Sequence, residues 1–165
     1  ILVYPSSYIA PEERSIGGGI WEEGEEERLG HTHERMGVIV LAWDAALHGS
    51  RIWGDGPNVV LHEFAHQLDF ENFSTDGTPL LDTPQQYISW ARVLGAEYNE
   101  LRRVDESGGS SFLDTYGAMN PAEFFAVVTE MFFERSVELR EKHPELYDEL
   151  KGFYRQDPAS FMATR

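Results

Sequence analysis

The chain has 165 residues, of which 41% are hydrophobic and 13% aromatic, enough to enclose one apolar core and too apolar for a disordered segment. With 29 acidic against 13 basic residues the formal charge is −16, a surface that repels phosphate backbones and argues against a nucleic-acid partner. Cysteine is absent, so disulfides and thiolate metal sites are excluded, and any transition metal must be held by imidazole and carboxylate.

No apolar run approaches the roughly 20 residues that cross a bilayer, so no membrane partner is expected. No signal-peptide pattern is read, and the expected compartment is the cytoplasm. The chain opens on "ILVYP" without an initiator methionine. It reads as an internal piece of a longer protein: residues 1–165 form one domain, and an N-terminal region is expected to precede it.

The first 50 residues read as short strands separated by loops. "ILVY" is a strand ended by Pro5, and "MGVIVLAW" at 36–43 is a β-branched apolar run of strand length, followed by a helical turn from Asp44 to His48. Between them "GGGIWEEGEEERLG" carries five glutamates from Glu22 to Glu27, which reads as a solvated surface loop. The remainder reads as helices. The first spans about Asn58 to Phe70. Thr83-Pro84-Gln85-Gln86 gives a capping-box start for the second, in which Tyr87, Trp90, Leu94, Tyr98 and Leu101 recur at helical spacing to about Val104. After the loop "DESGGSSF", a third helix runs from Asn120 to about Arg135 and a fourth from about Pro144 to Tyr154. The order of elements makes the fold class α+β.

Chemistry concentrates in "VVLHEFAHQLDF", residues 59 to 70. On a helix His62 and His66 stand one above the other, with Cβ atoms roughly 5–6 Å apart, and two such imidazoles grip one ion. Glu63 is rotated about 100° from His62, so it flanks the ion as the base for a metal-held water. Val60, Leu61, Phe64, Ala65 and Leu68 cover the other faces, which makes the helix apolar almost all round and central. This is the H-E-x-x-H pattern, in which Zn2+ acts as a Lewis acid and Glu63 passes the water's proton to a leaving amine. Asp69, on the same stripe, is expected to accept from the free ring N–H of a ligating histidine. The histidines at 31, 33, 48 and 143 read as surface or loop residues.

A hydrolytic zinc wants a third protein ligand and an open position. Glu97, Glu100, Glu123, Glu130 and Glu134 are the downstream candidates. Glu123 sits where a glutamate completes a capping box, and Glu130 shares its helix face, so spacing leaves the two almost level.

The blocks "NVVLHEFAHQLD", "YGAMNPAEFFAVVTEMFF" and "GFYRQDP" resemble the zinc peptidases of the Mlc titration factor A family, related in their catalytic domain to the C-terminal domain of anthrax lethal factor. The resemblance covers nearly the whole chain, from "LVYP" through "GVIVLAW" to "FYRQDP". It implies a zincin-like metallopeptidase domain, with a small N-terminal sheet before a mostly helical half. It also implies a gluzincin site, with His62, His66 and Glu123 as zinc ligands, Glu63 as general base and Tyr116 stabilising the oxyanion. Glu130 then becomes a supporting group behind the ligands. "GVIVLAW" would be the sheet edge where an extended substrate pairs.

The activity implied is aminopeptidase-like cleavage of a peptide or protein substrate. The alternative implied is a regulatory protein that binds a transcriptional repressor of sugar uptake, with zinc mainly structural. Three departures stand out. Relatives carry a longer N-terminal region, the stretch at 22–27 is more acidic than the family leads one to expect, and Val127 stands where thermolysin-like enzymes place an aspartate four residues after their glutamate ligand.

Overall fold

The computed structural model describes residues 1–17, 20–33, 37–52 and 54–162, and of residues 10–28, 33 and 162 the backbone alone. Five strands come first: β1 (Leu2–Tyr4), β2 (Tyr8–Gly17), β3 (Ile20–Arg28), β4 (Gly30–His33) and β5 (Val38–Ala42). Seven helices follow: α1 (Trp43–Arg51), α2 (Val59–Asp69), α3 (Pro84–Glu106), α4 (Pro121–Glu134), α5 (Ser136–Lys142), α6 (Pro144–Tyr154) and α7 (Pro158–Met162). Short 3-10 turns at Phe70–Asn72 and Thr115–Ala118 extend α2 and precede α4. The class is mixed α+β, with a small sheet and a mostly helical remainder.

The sheet corrects two expectations. β5, the "VIVLA" core of the predicted edge strand, lies in the middle, with β1 parallel on one side and β4 antiparallel on the other. Ile39 and Leu41 are buried and both flanks of β5 are paired, so the strand has no free edge to offer. The edge strand beside α2 is β4, "GHTH", which among the described residues pairs on one side only. The acidic run 22–27 is likewise not a loop: it lies in β3, which pairs antiparallel with β2 from Tyr8↔Arg28 to Gly17↔Ile20. A run of like charge disfavours burial, but a two-stranded ribbon needs only backbone N–H and C=O groups, and it tolerates Pro11 because among the described residues each strand pairs on one side.

The helices start where local chemistry puts them. The Asn58 side chain accepts from the N–H groups of Val60 and Leu61, and Thr83 and Gln86 close the capping box of α3. The centre of the molecule is α4, not α2. Eleven of the 14 residues of α4 are buried, Phe125, Val128 and Phe132 completely, and Trp90 of α3 meets Phe125 edge to face at 5.6 Å. In α2 only Glu63, Ala65 and Asp69 are buried, and Phe64 is exposed. The helix that carries the histidines therefore leans on the core and leaves one side open to a cleft.

Gly77 ties three helices together. Its N–H donates to Asp69 Oδ2 at 2.9 Å at the end of α2, and its carbonyl accepts from Trp90 Nε1 at 3.0 Å. It holds φ at +74°, and a Cβ there would lie 2.3 Å from the Pro121 carbonyl oxygen at the start of α4, so only glycine fits.

Candidate functional site

A cleft of about 1220 Å³ opens between β4, α1, α2 and α4 and the loops 55–57 and 111–114. His62, Glu63 and His66 face it from α2, Glu123 and Glu130 from α4, and Tyr116 from the 3-10 turn before α4.

α4 begins with Asn120, whose side chain caps the Glu123 N–H at 2.9 Å. The Glu123 carboxylate does not turn back to complete a capping box. Its Oε2 lies 3.0 Å from His62 Nε2 and 3.5 Å from His66 Nε2, while the two Nε2 atoms are 3.2 Å apart. Three ligands at about 2.0–2.1 Å from a tetrahedral ion stand roughly 3.3–3.4 Å from one another, so this spacing suits one small cation. Among the described residues, His62, His66 and Glu123 are the group of three whose ligand atoms converge within 4.8 Å. Glu97 and Glu100 lie elsewhere. Glu97 pairs with His143 at 2.9 Å and Glu100 with Arg103 on the surface of α3.

Glu130 meets the opposite ring nitrogen of His62, with Oε1 2.7 Å from Nδ1, and its Oε2 accepts from the Asn58 N–H. Glu134, one turn on, accepts from Asn58 Nδ2 at 2.7 Å and from the Gly54 N–H at 3.0 Å. Two buried carboxylates of α4 thus fix the first turn of α2 and the orientation of His62 together. Asp69, expected to hold a histidine, does not: its hydrogen bonds run to the loop at Gly77, because that loop folds over the end of α2 and presents its amides there.

Electrostatics follow from burial. Burial opposes a charge on His62, but hydrogen bonds to Glu123 and Glu130 outweigh it and raise its pKa to about 10. Burial works against the Glu123 carboxylate too, and the two imidazoles overcome it and hold the pKa near about 2. Glu63 is pushed upward by burial, an effect that the Thr32 hydroxyl opposes.

Thr32 and Gly30 are site residues that the sequence did not reveal. Thr32 Oγ1 lies 2.8 Å from Glu63 Oε2 and 2.9 Å from the Glu63 carbonyl oxygen. A Cβ on Gly30 would stand 2.5 Å from Glu63 Oε1, so the strand comes this close only with glycine there. Their one signal was position, two alternate residues of a four-residue strand. His31, within β4, is half-buried and lines the cleft, so it is neither the surface nor the loop residue expected; His143 lies in the connection between α5 and α6, as a loop residue, half-buried and stacked on Phe112. His48 is exposed on α1, and the side chain of His33 lies outside the described residues. Tyr116 is half exposed, with its ring centre 6.0 Å from that of His62.

Residues 1–155 match the family described as glucose-regulated metallo-peptidase M90. The chain belongs to that family. It is 40% identical over 158 residues to an uncharacterized protein of Synechocystis sp., and 34% identical over 164 and 162 residues to the Mlc titration factor A proteins of Pectobacterium atrosepticum and Yersinia pestis. Each match takes in 96% of this chain but only 58–59% of the relative, so the chain spans a little under three fifths of their length. Metallopeptidase membership agrees with a His-His-Glu group able to hold a metal. Among the described residues no helix is long and apolar enough to cross a membrane.

Proposed function

We propose that residues 1–165 are the zincin-like catalytic domain of a longer zinc peptidase of gluzincin type. The observation that carries this reading is the convergence of His62, His66 and Glu123, with a buried carboxylate, Glu63, fixed beside them. His62, His66 and Glu123 are the ligands in this proposal, and two nitrogens and one oxygen suit zinc. Zinc, when bound, supplies Lewis acidity, polarising a carbonyl and making a nearby water more acidic.

The chain's own groups do the rest. Glu63 accepts the proton of the attacking water and delivers it to the leaving amine. Its raised pKa brings a carboxylate closer to neutrality, where a base that must also act as an acid works best. Thr32 anchors Oε2, which fixes the direction of the other oxygen. Tyr116, beside His62 on the open wall, donates to the negative charge that develops on the attacked carbonyl. Glu130 holds His62 by Nδ1 and leaves Nε2 to the metal. An extended substrate adds to the outer side of β4, which among the described residues pairs with β5 alone.

Aminopeptidase-like cleavage is supported by Asp44, Asp55 and Asp114 on the cleft wall, which favour a substrate's α-amine. The names of the relatives support a second role, binding to a transcriptional repressor. A buried carboxylate beside the ligands favours hydrolysis as the primary one, because a structural ion has no use for it.

The test is the release of amino acids from unblocked and N-acetylated peptides, with zinc, after chelation and after zinc is restored. Hydrolysis of unblocked peptides that chelation abolishes and zinc restores is expected. Chelator-resistant hydrolysis, or equal cutting of blocked peptides, would overturn the metal or the aminopeptidase part respectively.

A further inference from the structure

The cleft wall is acidic, with Asp44, Asp55 and Asp114 joining the glutamates of the centre. Among the described residues one lysine or arginine lines it, Arg135, at the junction of α4 and α5. Its guanidinium is held in place. The Nε donates to Glu138, the guanidinium carbon stands 4.7 Å from the centre of the Phe112 ring, and a Cβ on Gly56 would stand 3.7 Å from its Cδ. The two Nη nitrogens have no partner among the described residues. Among the described residues, the end of this partly buried guanidinium is thus uncommitted on the cleft wall of a chain with 29 acidic residues.

We propose, building on the peptidase reading, that Arg135 is a carboxylate-binding subsite that reads a carboxylate of the bound peptide. The fork of two Nη groups is the geometry that takes a carboxylate in a bidentate pair. With Glu138 and Phe112 fixing the plane, little side-chain freedom is lost when the pair forms. Arg135 stands twelve positions after Glu123, so the two backbones lie about 18 Å apart along the axis of α4, which roughly five residues of extended chain cover. The class of ligand is therefore a short peptide with a carboxylate some residues from the bond that is cut. That carboxylate is either the C-terminal group or an acidic side chain.

The test is calorimetric titration of pentaalanine as free acid and as C-terminal amide. A second pair of amidated pentapeptides differs by Asp against Asn at the fourth position. The protein is the full chain in a Glu63→Gln background, which stops turnover, with Arg135 intact or replaced by Gln or Lys. Each protein is scored by the ratio of dissociation constants within a pair, so a general loss of stability cancels. The free acid should bind roughly tenfold or more tightly than the amide when Arg135 is present, near-equally in Arg135→Gln and with an intermediate ratio in Arg135→Lys. A preference in the Asp/Asn pair instead identifies the side chain as the source. Equal binding in both pairs, or a preference that survives Arg135→Gln, overturns the subsite. A preference that depends on Arg135, on peptides that the zinc-loaded chain with Glu63 never cuts, upholds the subsite and refutes the peptidase reading.

Discussion

Glu63 shows how much of a functional residue lies in the groups around it. Thr32 and Gly30 hold it from β4, and nothing on its own helix does so. Thr32→Val keeps the shape and removes the hydroxyl, so kcat should fall roughly tenfold with zinc content unchanged, while Thr32→Ser should retain most of the rate. Equal rates in all three proteins would return Thr32 to a packing role. His62 gives the second prediction. Its pKa is raised from 6.5 to about 10 by Glu123 and Glu130, against the pull of burial. The proton stabilises the metal-free fold fully below about pH 6.5, and that contribution is lost as pH rises toward 10. With His62 as the proposed zinc ligand, the ion displaces this proton, so between about pH 7 and 9 uptake should release about one proton from His62, and apparent affinity should rise about tenfold per pH unit. Calorimetry in buffers of different ionisation heat counts the proton, and a count of zero contradicts the assignment. Of these residues, the closeness of His62 and His66 was legible because it lies in local spacing, and their Nε2 atoms stand 3.2 Å apart. Thr32, Gly30 and the true partner of Asp69 were not, because they meet α2 across distances in sequence of 31, 33 and 8 residues.

At the scale of elements, the site depends on how α4 meets α2. Local signals placed four helices well: Asn58, Thr83 and Asn120 cap α2, α3 and α4, and Pro144 opens α6. Spacing could not say whether Glu123 or Glu130 would face both imidazoles, because both lie on one face of α4 and only the approach of the two helices separates them. In the structure Glu123 meets both Nε2 atoms and Glu130 meets Nδ1. The sheet order was illegible for a related reason. A β-branched run announces a strand but not its neighbours, and the run "VIVLA" became the centre while the polar "GHTH" became the edge. Gly77 is the joint that holds these elements. Gly77→Ala faces both a positive φ and a carbonyl 2.3 Å away, so it should lower stability by about 2 kcal/mol or more and loosen the start of α4. Thermal denaturation and zinc affinity should fall together, and an unchanged melting temperature would show that the joint is unimportant.

Across the whole molecule, a buried α4 serves as the fixed beam, and the sheet edge and α2 supply the working faces of one acidic cleft. Composition and charge pointed to a folded, cysteine-free, acidic domain, and family membership agrees with the reading of its motif as metallopeptidase. What neither composition nor pattern conveyed is the shape of the cleft, which arises from loops at 55–57 and 111–114 that carry no signature. The central claim is that this cleft hydrolyses peptides with Glu63 as base. The most direct measurement incubates the zinc-loaded chain and its Glu63→Gln variant with a diverse peptide mixture, reads the products by mass spectrometry and measures zinc in both. Equal zinc in the two proteins, cleavage by the first, and a loss of turnover of about 100-fold or more in the second are expected. Two proteins that hold zinc and cut nothing, or that cut equally well, would contradict this claim.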